Sequence, residues 1–358
     1  MRNTLFVVSL LAGAGIVHAQ CAENRTLPVD PVELVRGREV PGKPELMVER
    51  EGTGYLFATP QNKAAFEKAP ARYEVADGGA CGSMGPLSGL GDARRYAVHA
   101  GRIYFFASDG CKATFLKDPT RCIETADAAP TPTPEEQAAG LAIVDRFVAW
   151  AGGADAVRGV TGYRQTIRTS QKSGDKAYDV RDIFAAEFPG RFAQRNSWDD
   201  SWWTTIATPE GSVEVTATER KPFASARAGA FRRNAAHTPM VILKARFEPG
   251  FVAKPDGAGV VNETPVDYVL VHIAGATTRL AIGADGRPAQ LSFRGRDGTA
   301  LAGEMVRTFT GHTTVAGVTL PTAWVLTSED VLKNPREVTI TEIEINPAFE
   351  PGTFALMP

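Results

Sequence analysis

Hydrophobic and polar positions change rhythm along this chain, and the changes mark its elements. Leu141, Val144, Phe147 and Val148 recur at intervals of three or four, which predicts one amphipathic helix. Thr133-Pro134-Glu135-Glu136 precedes it in the order of a capping box, with Thr133 as cap and Glu136 reaching back; Gly152-Gly153 stops it. A shorter helix, Ala154–Arg158, follows. From Tyr163 the period falls to two. Strands are predicted at Tyr163–Thr169, Tyr178–Phe188, Arg191–Ser197, Trp202–Thr208 and Ser212–Thr218. After a helical segment at Phe223–Ala235 they resume at Val266–Ile273, Thr277–Ile282, Pro288–Arg294, Gly303–Thr313, Val318–Thr327 and Glu337–Ile345. Asp285-Gly286 is a hairpin turn. In the last strand Val338 and Ile340 are out of phase with Ile343 and Ile345, which predicts a bulge that bends the sheet. Sequential strands on short turns make an antiparallel sheet. With one helix before it and one within, the expected class is α+β, a curved half-barrel wrapped over helices.

The N-terminal third has a different organisation. Tyr55–Tyr73 returns, without a gap, as Tyr104–Cys122. Tyr55/Tyr104, Phe57/Phe106, Lys63/Lys112, Phe66/Phe115 and Pro70/Pro119 are among the identical pairs. The repeat defines two copies of one strand–helix unit. Thr59 and Ser108 are placed as N-caps, with Pro60 and Asp109 at the first helical positions, and Pro70 and Pro119 end the helices. Phe66 and Phe115 pack back on the strands. Each unit is too small to bury a core alone, so the two are expected to pack together.

These residues resemble the YHS domain family. Its pattern is a Cys-Gly-x-Met-like element, a hairpin, then an aromatic strand followed by Ser-x-x-Cys-x-x-x-Phe-x-x-x-Pro. The second copy has Cys81-Gly82-Ser83-Met84, Tyr104, Phe105, Phe106, Ser108, Cys111, Phe115 and Pro119. The first copy has Asp30-Pro31-Val32-Glu33 where the family often has Asp-Pro-Val-Cys, and Asn62 where it has the second cysteine, so both its cysteines are gone. The resemblance covers residues 28–123, a tandem YHS-like module, and implies heavy-metal handling.

Charge and cysteine usage narrow the setting. Met1–Ala19 has one early positive charge, Arg2, a short apolar run and Val17-His18-Ala19, which read as a secretory signal peptide and a periplasmic location. The net charge of −2 excludes the strongly basic face that nucleic acid needs. Export would place Cys21, Cys81, Cys111 and Cys122 in an oxidising compartment, where four cysteines allow three pairings. The family pattern implies Cys81–Cys111, and Cys21–Cys122 would then tether the mature N-terminus. The other reading is a thiolate metal site at Cys81 and Cys111 with Met84 near; its soft sulfurs suit copper or zinc, and His99 is the only nearby imidazole.

Glu124–Pro134, rich in Pro, Thr and Ala, is an extended, semi-rigid linker. Beyond it, residues 135–358 resemble the LolA/LolB-like periplasmic lipoprotein-carrier fold. The likeness rests on the helix ending Trp150-Ala151-Gly152-Gly153, on Val315–Pro321 and on Ile343-Glu344-Ile345-Asn346-Pro347. That resemblance implies an incomplete antiparallel barrel around helices, with an apolar cavity for lipid chains. Trp198, Trp202, Trp203 and Trp324, with Phe247 and Phe251, are the bulky groups expected near its mouth. Asp199 and Asp200 read as a solvated turn, and His237, His272 and His312 as lone residues. Arg227, Arg232 and Arg233 read as the solvated face of the inner helix. No nucleophile elbow, P-loop or dinucleotide fingerprint occurs, so no enzyme is expected. The function expected is a non-enzymatic carrier of a hydrophobic small molecule or lipid, with an envelope protein as partner; the alternative is a metal-binding or thiol-redox module acting through Cys81 and Cys111.

Overall fold

The structure, a computed structural model, describes residues 25–173, 176–199, 201–299 and 301–357. The expected signal peptide, Cys21 and Asp200 lie outside them. The first N-terminal copy comprises β1 (Thr26–Leu27), α1 (Pro31–Val35), β2 (Lys43–Arg50), β3 (Thr53–Phe57) and α2 (Pro60–Lys68). The second comprises a turn at Ala76–Gly79, β4 (Asp92–His99), β5 (Arg102–Phe106) and α3 (Asp109–Lys117).

The duplication runs deeper than the repeated stretch. Thr26 bridges Gly54 in parallel, as Val75 bridges Ile103. The Asp30 N–H donates to Val40 O at 2.8 Å, and the Cys81 N–H to Gly89 O at 2.9 Å. The second copy is longer by two residues between Val75 and Ala80 than the first between Thr26 and Val29. Both helices are capped as expected: Thr59 Oγ1 accepts from Asn62 N at 3.2 Å, and Ser108 Oγ from Cys111 N at 3.1 Å. Phe66 meets Tyr55 and Phe57 with ring centroids 4.8 and 5.2 Å apart; Phe115 meets Tyr104 and Phe106 at 4.7 and 5.2 Å. Ile103 and Phe105 of the second copy pack in the same buried cluster as Leu27, Tyr55 and Phe66 of the first, so neither unit closes its core alone.

The rest of the chain builds one large sheet and its helices. In order these are α4 (Pro134–Trp150), α5 (Ala154–Arg158), β6 (Gly162–Ser173), β7 (Lys176–Glu187), β8 (Arg191–Trp198), β9 (Ser201–Thr208), β10 (Gly211–Thr216), β11 (Arg220–Pro222), α6 (Ser225–Ala235), α7 (Pro239–Ala245), β12 (Val252–Val261), β13 (Thr264–Ile273), β14 (Ala276–Gly283), β15 (Pro288–Gly295), β16 (Gly303–Val315), β17 (Val318–Thr327) and β18 (Arg336–Ile345). The 13-stranded sheet runs β11-β10-β9-β8-β7-β6-β18-β17-β16-β15-β14-β13-β12, every neighbour antiparallel. Its first and last strands in sequence, β6 and β18, pair in the middle and fuse two meanders. The edges β11 and β12 do not pair, so the barrel is incomplete. The β6–β18 register shifts between Ile340 and Glu342, where the change of phase predicted a bulge.

One core joins the sheet to the helices. Val144, Phe147 and Val148 of α4, Phe231 of α6, and Met240, Ile242 and Leu243 of α7 pack against Tyr163, Phe184, Val269, Leu280, Leu291 and Leu326. The capping box of Thr133 and Glu136 forms in both directions. Gly140 lets α4 lie directly on β12: a Cβ there would stand 2.5 Å from Ala253 O. In this domain three elements escaped the sequence reading, the three-residue edge strand β11 among them. The strand Val252–Val261 carries Pro255-Asp256-Gly257, which reads as a turn, and α7 is buried on all sides, so its run of apolar residues has no period.

The linker does not stand free. Asp127 N–H donates to Gly275 O at 2.8 Å, and its carboxylate accepts from Thr277 N at 2.7 Å. Glu124 pairs with Arg296. Arg227 corrects the expectation of a solvated basic face. It is 3% exposed, pairs with the equally buried Glu214 at 3.5 Å, and donates to Pro86 O at 3.0 Å and Ser88 O at 2.8 Å. It therefore joins α6 to the second N-terminal copy. A buried guanidinium needs such partners because desolvation disfavours its charge.

Candidate functional site

Two places gather chemistry. The first is the equivalent position in each N-terminal copy. In the first, Asp30 is fully buried, and its carboxylate accepts from Val32 N at 2.9 Å, Glu33 N at 3.2 Å, Ala58 N at 2.7 Å and Asn62 Nδ2 at 2.8 Å. Asn62 also donates to Glu33 at 3.1 Å, and Glu33 is ion-paired with Arg36 and Arg38. In the second copy the Ala107 N–H donates to Cys81 Sγ at 3.3 Å, as Ala58 does to Asp30. Cys111 stands where Asn62 stands, in the first turn of α3, and packs in the same small cluster as Cys81.

Sulfur gives this second site its character. Cys81 is fully buried and Cys111 partly exposed; both are free thiols here, as is Cys122. Their proximity splits their acidities: each thiol acts on the other so that Cys111 falls below the ordinary thiol range and Cys81, with burial, rises above it. Met84 and Cys122 pack in the same small cluster. Cys122 is pushed up by burial. The expected partner of Cys122, Cys21, lies outside the described residues. Zinc does not fit the donor set: two thiols leave a four-ligand site half built, and the His99 ring is held edge-on to Phe115 at 5.9 Å. Two thiolates and a thioether are donors for copper(I). Among the described residues no group of three or more His, Cys, Asp or Glu is placed to hold a metal.

The second place is the part of the concave sheet face that the helices leave uncovered. Alternation puts Asp182 in phase with Phe184, Gln194 with Phe192, Trp203 with Thr205, and Arg307 with Met305 and Phe309. Arg307 pairs with Asp297 at 2.7 Å and lies 5.0 Å from the Phe293 ring and 5.4 Å from the Trp324 ring. A cavity of about 20 Å³ opens beside it, lined by Tyr163, Gln165, Pro239, Phe309, Leu320, Trp324 and Ile340 among others; that is room for about one water. Trp324 is 7% exposed, and its indole N–H has no partner.

Charge on this face is tuned by burial. Burial pushes the Asp182 carboxyl up to about 6, against the Gln194 amide, which donates to it at 2.8 Å. Burial acts upward on Asp297 too, but the Arg307 and Arg336 guanidiniums hold it below the ordinary range. His237, behind them, is stacked on Phe293 at 3.9 Å and bonded through Nδ1 to Thr278 at 2.8 Å; burial, then Arg307, pushes it down to about 3, so it is a neutral core residue.

The expected aromatic rim does not form one cluster. Trp198 and Trp203 meet edge to face at 4.8 Å on the concave side of the β8–β9 hairpin. Trp202 is on the opposite face, under Arg195 at 4.1 Å. Trp324 lies four strands from β8 along the sheet, roughly 19 Å at ordinary strand spacing. Phe247 and Phe251 pack on the core. Arg307, Asp182 and Asp297 escaped the sequence reading. A polar residue in the inward phase of an apolar strand was the available signal for Arg307 and Asp182; Asp297 sits on a turn with φ of 40° and had none.

No protein-family model and no curated protein sequence matches the chain. Several solved structures resemble it. An outer membrane lipoprotein-sorting protein domain from Vibrio parahaemolyticus is 11% identical, with TM-score 0.39, over 61% of this chain and 97% of that one. A DUF1329 family protein from Desulfovibrio piger is 8% identical, with TM-score 0.39, over 62% and 97%. A LolA superfamily protein from Nitrosomonas europaea is 9% identical, with TM-score 0.34, over 58% and 94%. At such scores the likeness says nothing of ligand or activity, and the incomplete antiparallel barrel over helices rests on the strand order itself.

Proposed function

We propose that the half-barrel is the non-enzymatic binding module of an exported, periplasmic protein, and that its ligand is amphipathic and lipid-like. The observation that supports this is the Trp324 indole N–H. It is buried without a partner beside a cavity walled by Phe309, Leu320 and Ile340. A buried donor left unpaired costs roughly 1–3 kcal/mol. A carboxylate, ester or phosphate oxygen at the head of the ligand would satisfy it, with the Arg307 charge alongside. The resting cavity holds about one water, so an apolar chain enters by displacing Thr238 and Pro239 at the start of α7. Trp198 and Trp203 extend the apolar surface at the far end of the concave face.

An anilinonaphthalene sulfonate probe, apolar with an anionic head, tests this on the full chain. It should bind saturably, brighten, and shift tryptophan emission. Trp324→Phe keeps the ring and removes the donor, and should weaken binding about fivefold to tenfold. Trp203→Ala should weaken binding while leaving stability nearly unchanged, since a rim ring contributes contact area to the ligand but little to the core. No saturable binding, or binding indifferent to Trp324→Phe, would sink the proposal and leave the half-barrel a solid scaffold.

A further inference from the structure

The two N-terminal copies share one backbone frame, and that frame brings residues 81 and 111 together. In the first copy the same two places hold a carboxylate and an amide in direct contact, 2.8 Å apart. The same alanine N–H, from Ala58 or Ala107, points at the buried member of each pair. The same Thr or Ser cap sets the first helical turn that carries the other member. The frame thus sets Cys81 and Cys111, both free thiols, in one small cluster. Their surroundings are unequal. Cys81 is enclosed, with Ser83 Oγ at 3.6 Å, whereas Cys111 reaches solvent from the start of a nine-residue helix.

We propose that Cys81 and Cys111 form a redox-active dithiol that exchanges with the disulfide of a second thiol-bearing molecule, Cys111 attacking and Cys81 resolving. The Cys111 thiolate attacks one sulfur of the partner disulfide. That bond breaks, a mixed disulfide forms, and the departing partner thiolate takes the Cys81 proton. The Cys81 thiolate then attacks Cys111 Sγ, closing the internal disulfide and releasing the second partner thiolate. Two electrons pass from the pair to the partner, which leaves as one thiol and one thiolate, the latter taking its proton from solvent. The direction of each step follows from access and acidity. Cys111 is the more accessible of the two thiols, at the start of a helix, and its neighbour Cys81 lowers its pKa below the ordinary thiol range.

Timed alkylation of the reduced full chain tests this, because trypsin puts the cysteines on separate peptides: residues 73–94 carry Cys81, 103–112 carry Cys111 and 122–146 carry Cys122. At pH 6.5 Cys111 should react about tenfold faster than Cys122 or free glutathione. Glutathione disulfide should then link peptides 73–94 and 103–112, and reduced glutathione should open the link. Cys81→Ser should stop at a glutathione adduct on Cys111. Three results would each overturn the proposal: Cys111 reacting no faster than Cys122, an internal bond that glutathione never opens, or copper that stays bound and shields both sulfurs. The wild-type rates and link decide the question even where Cys81→Ser fails to fold.

Discussion

The two N-terminal copies differ in what one fold does with one pair of positions. In the first copy Asp30 and Asn62 form a closed polar staple. Every oxygen of the buried carboxylate is used, Asn62 reaches on to Glu33, and Glu33 is locked by Arg36 and Arg38. In the second, Cys81 and Cys111 occupy the same places, packed in one small cluster with Cys81 buried and Cys111 partly exposed. The first pair stabilises the unit and cannot react. The second gives up hydrogen bonding and gains a nucleophile. Only the second is anchored through Arg227 to the half-barrel, through Pro86 O and Ser88 O, whereas the first reaches that domain through the Glu51 carboxylate on Ser225 N. A duplicated unit has thus been divided into a stabilising copy and a reactive, docked one.

The sharpest way to break this comparison is to delete each buried partner. Asp30→Ala strands the N–H groups of Val32, Glu33 and Ala58 and the Asn62 amide, and should cost about 3–5 kcal/mol. Cys81→Ala removes one sulfur and should cost only about 1–2 kcal/mol. Urea unfolding of both variants measures the gap; equal losses would mean that the first copy is no staple.

The docking of the second copy is next in size. Glu214→Gln leaves the Arg227 charge buried without its counter-charge and should cost about 3 kcal/mol. Proteolysis between residues 124 and 134 should also quicken as the modules separate. Stability and cleavage both unchanged would show that the pair holds nothing together.

A smaller effect belongs to the turn that only the second copy has. Burial pushes Asp77 up to about 6, eased by Arg102, and its Oδ2 is buried without a partner. Its folded pKa lies above the unfolded value near 3.9, so the native state binds the extra proton between those pH values. Its contribution is therefore fully present below about pH 3.9 and lost as pH rises through 6. Asp77→Asn should accordingly stabilise the protein at pH 7.5 relative to pH 4, by about 1–2 kcal/mol after allowance for its partial exposure. Melting curves at the two pH values check the sign.

Much of this was legible in the residues. The repeat, its caps and packing phenylalanines, the capping box before α4 and the bulge at Ile340 all come from local pattern, and local pattern survives folding. The equivalence of Asp30 with Cys81 was not: the family pattern sets Glu33 against the first cysteine, and only the shared backbone bonds put Asp30 there, two extra residues before Ala80 having shifted the spacing. What was not legible depends on partners distant in sequence. Arg227 reads as a surface charge because Pro86 and Ser88 are far away along the chain and Glu214 reaches it only once β10 and α6 pack together. Trp202 is the exception: it left the expected rim for a local reason, since it is next to Trp203 on β9 and successive strand residues face opposite sides. The pairing of β6 with β18, which sets Tyr163 opposite Ile345 and Ile167 opposite Ile340, is a contact across the whole domain.

The claim that the frame sets the contact and the side chains set the chemistry is tested most directly by moving the sulfurs. Asp30→Cys with Asn62→Cys puts thiols into the first copy, where Ala58 N–H can serve position 30 as Ala107 N–H serves Cys81. Peptide mapping after mild oxidation should find a new disulfide joining positions 30 and 62, and position 62 should alkylate in the reduced protein as fast as Cys111. A folded double variant with no such link, or with position 62 no more reactive than Cys122, would contradict the account.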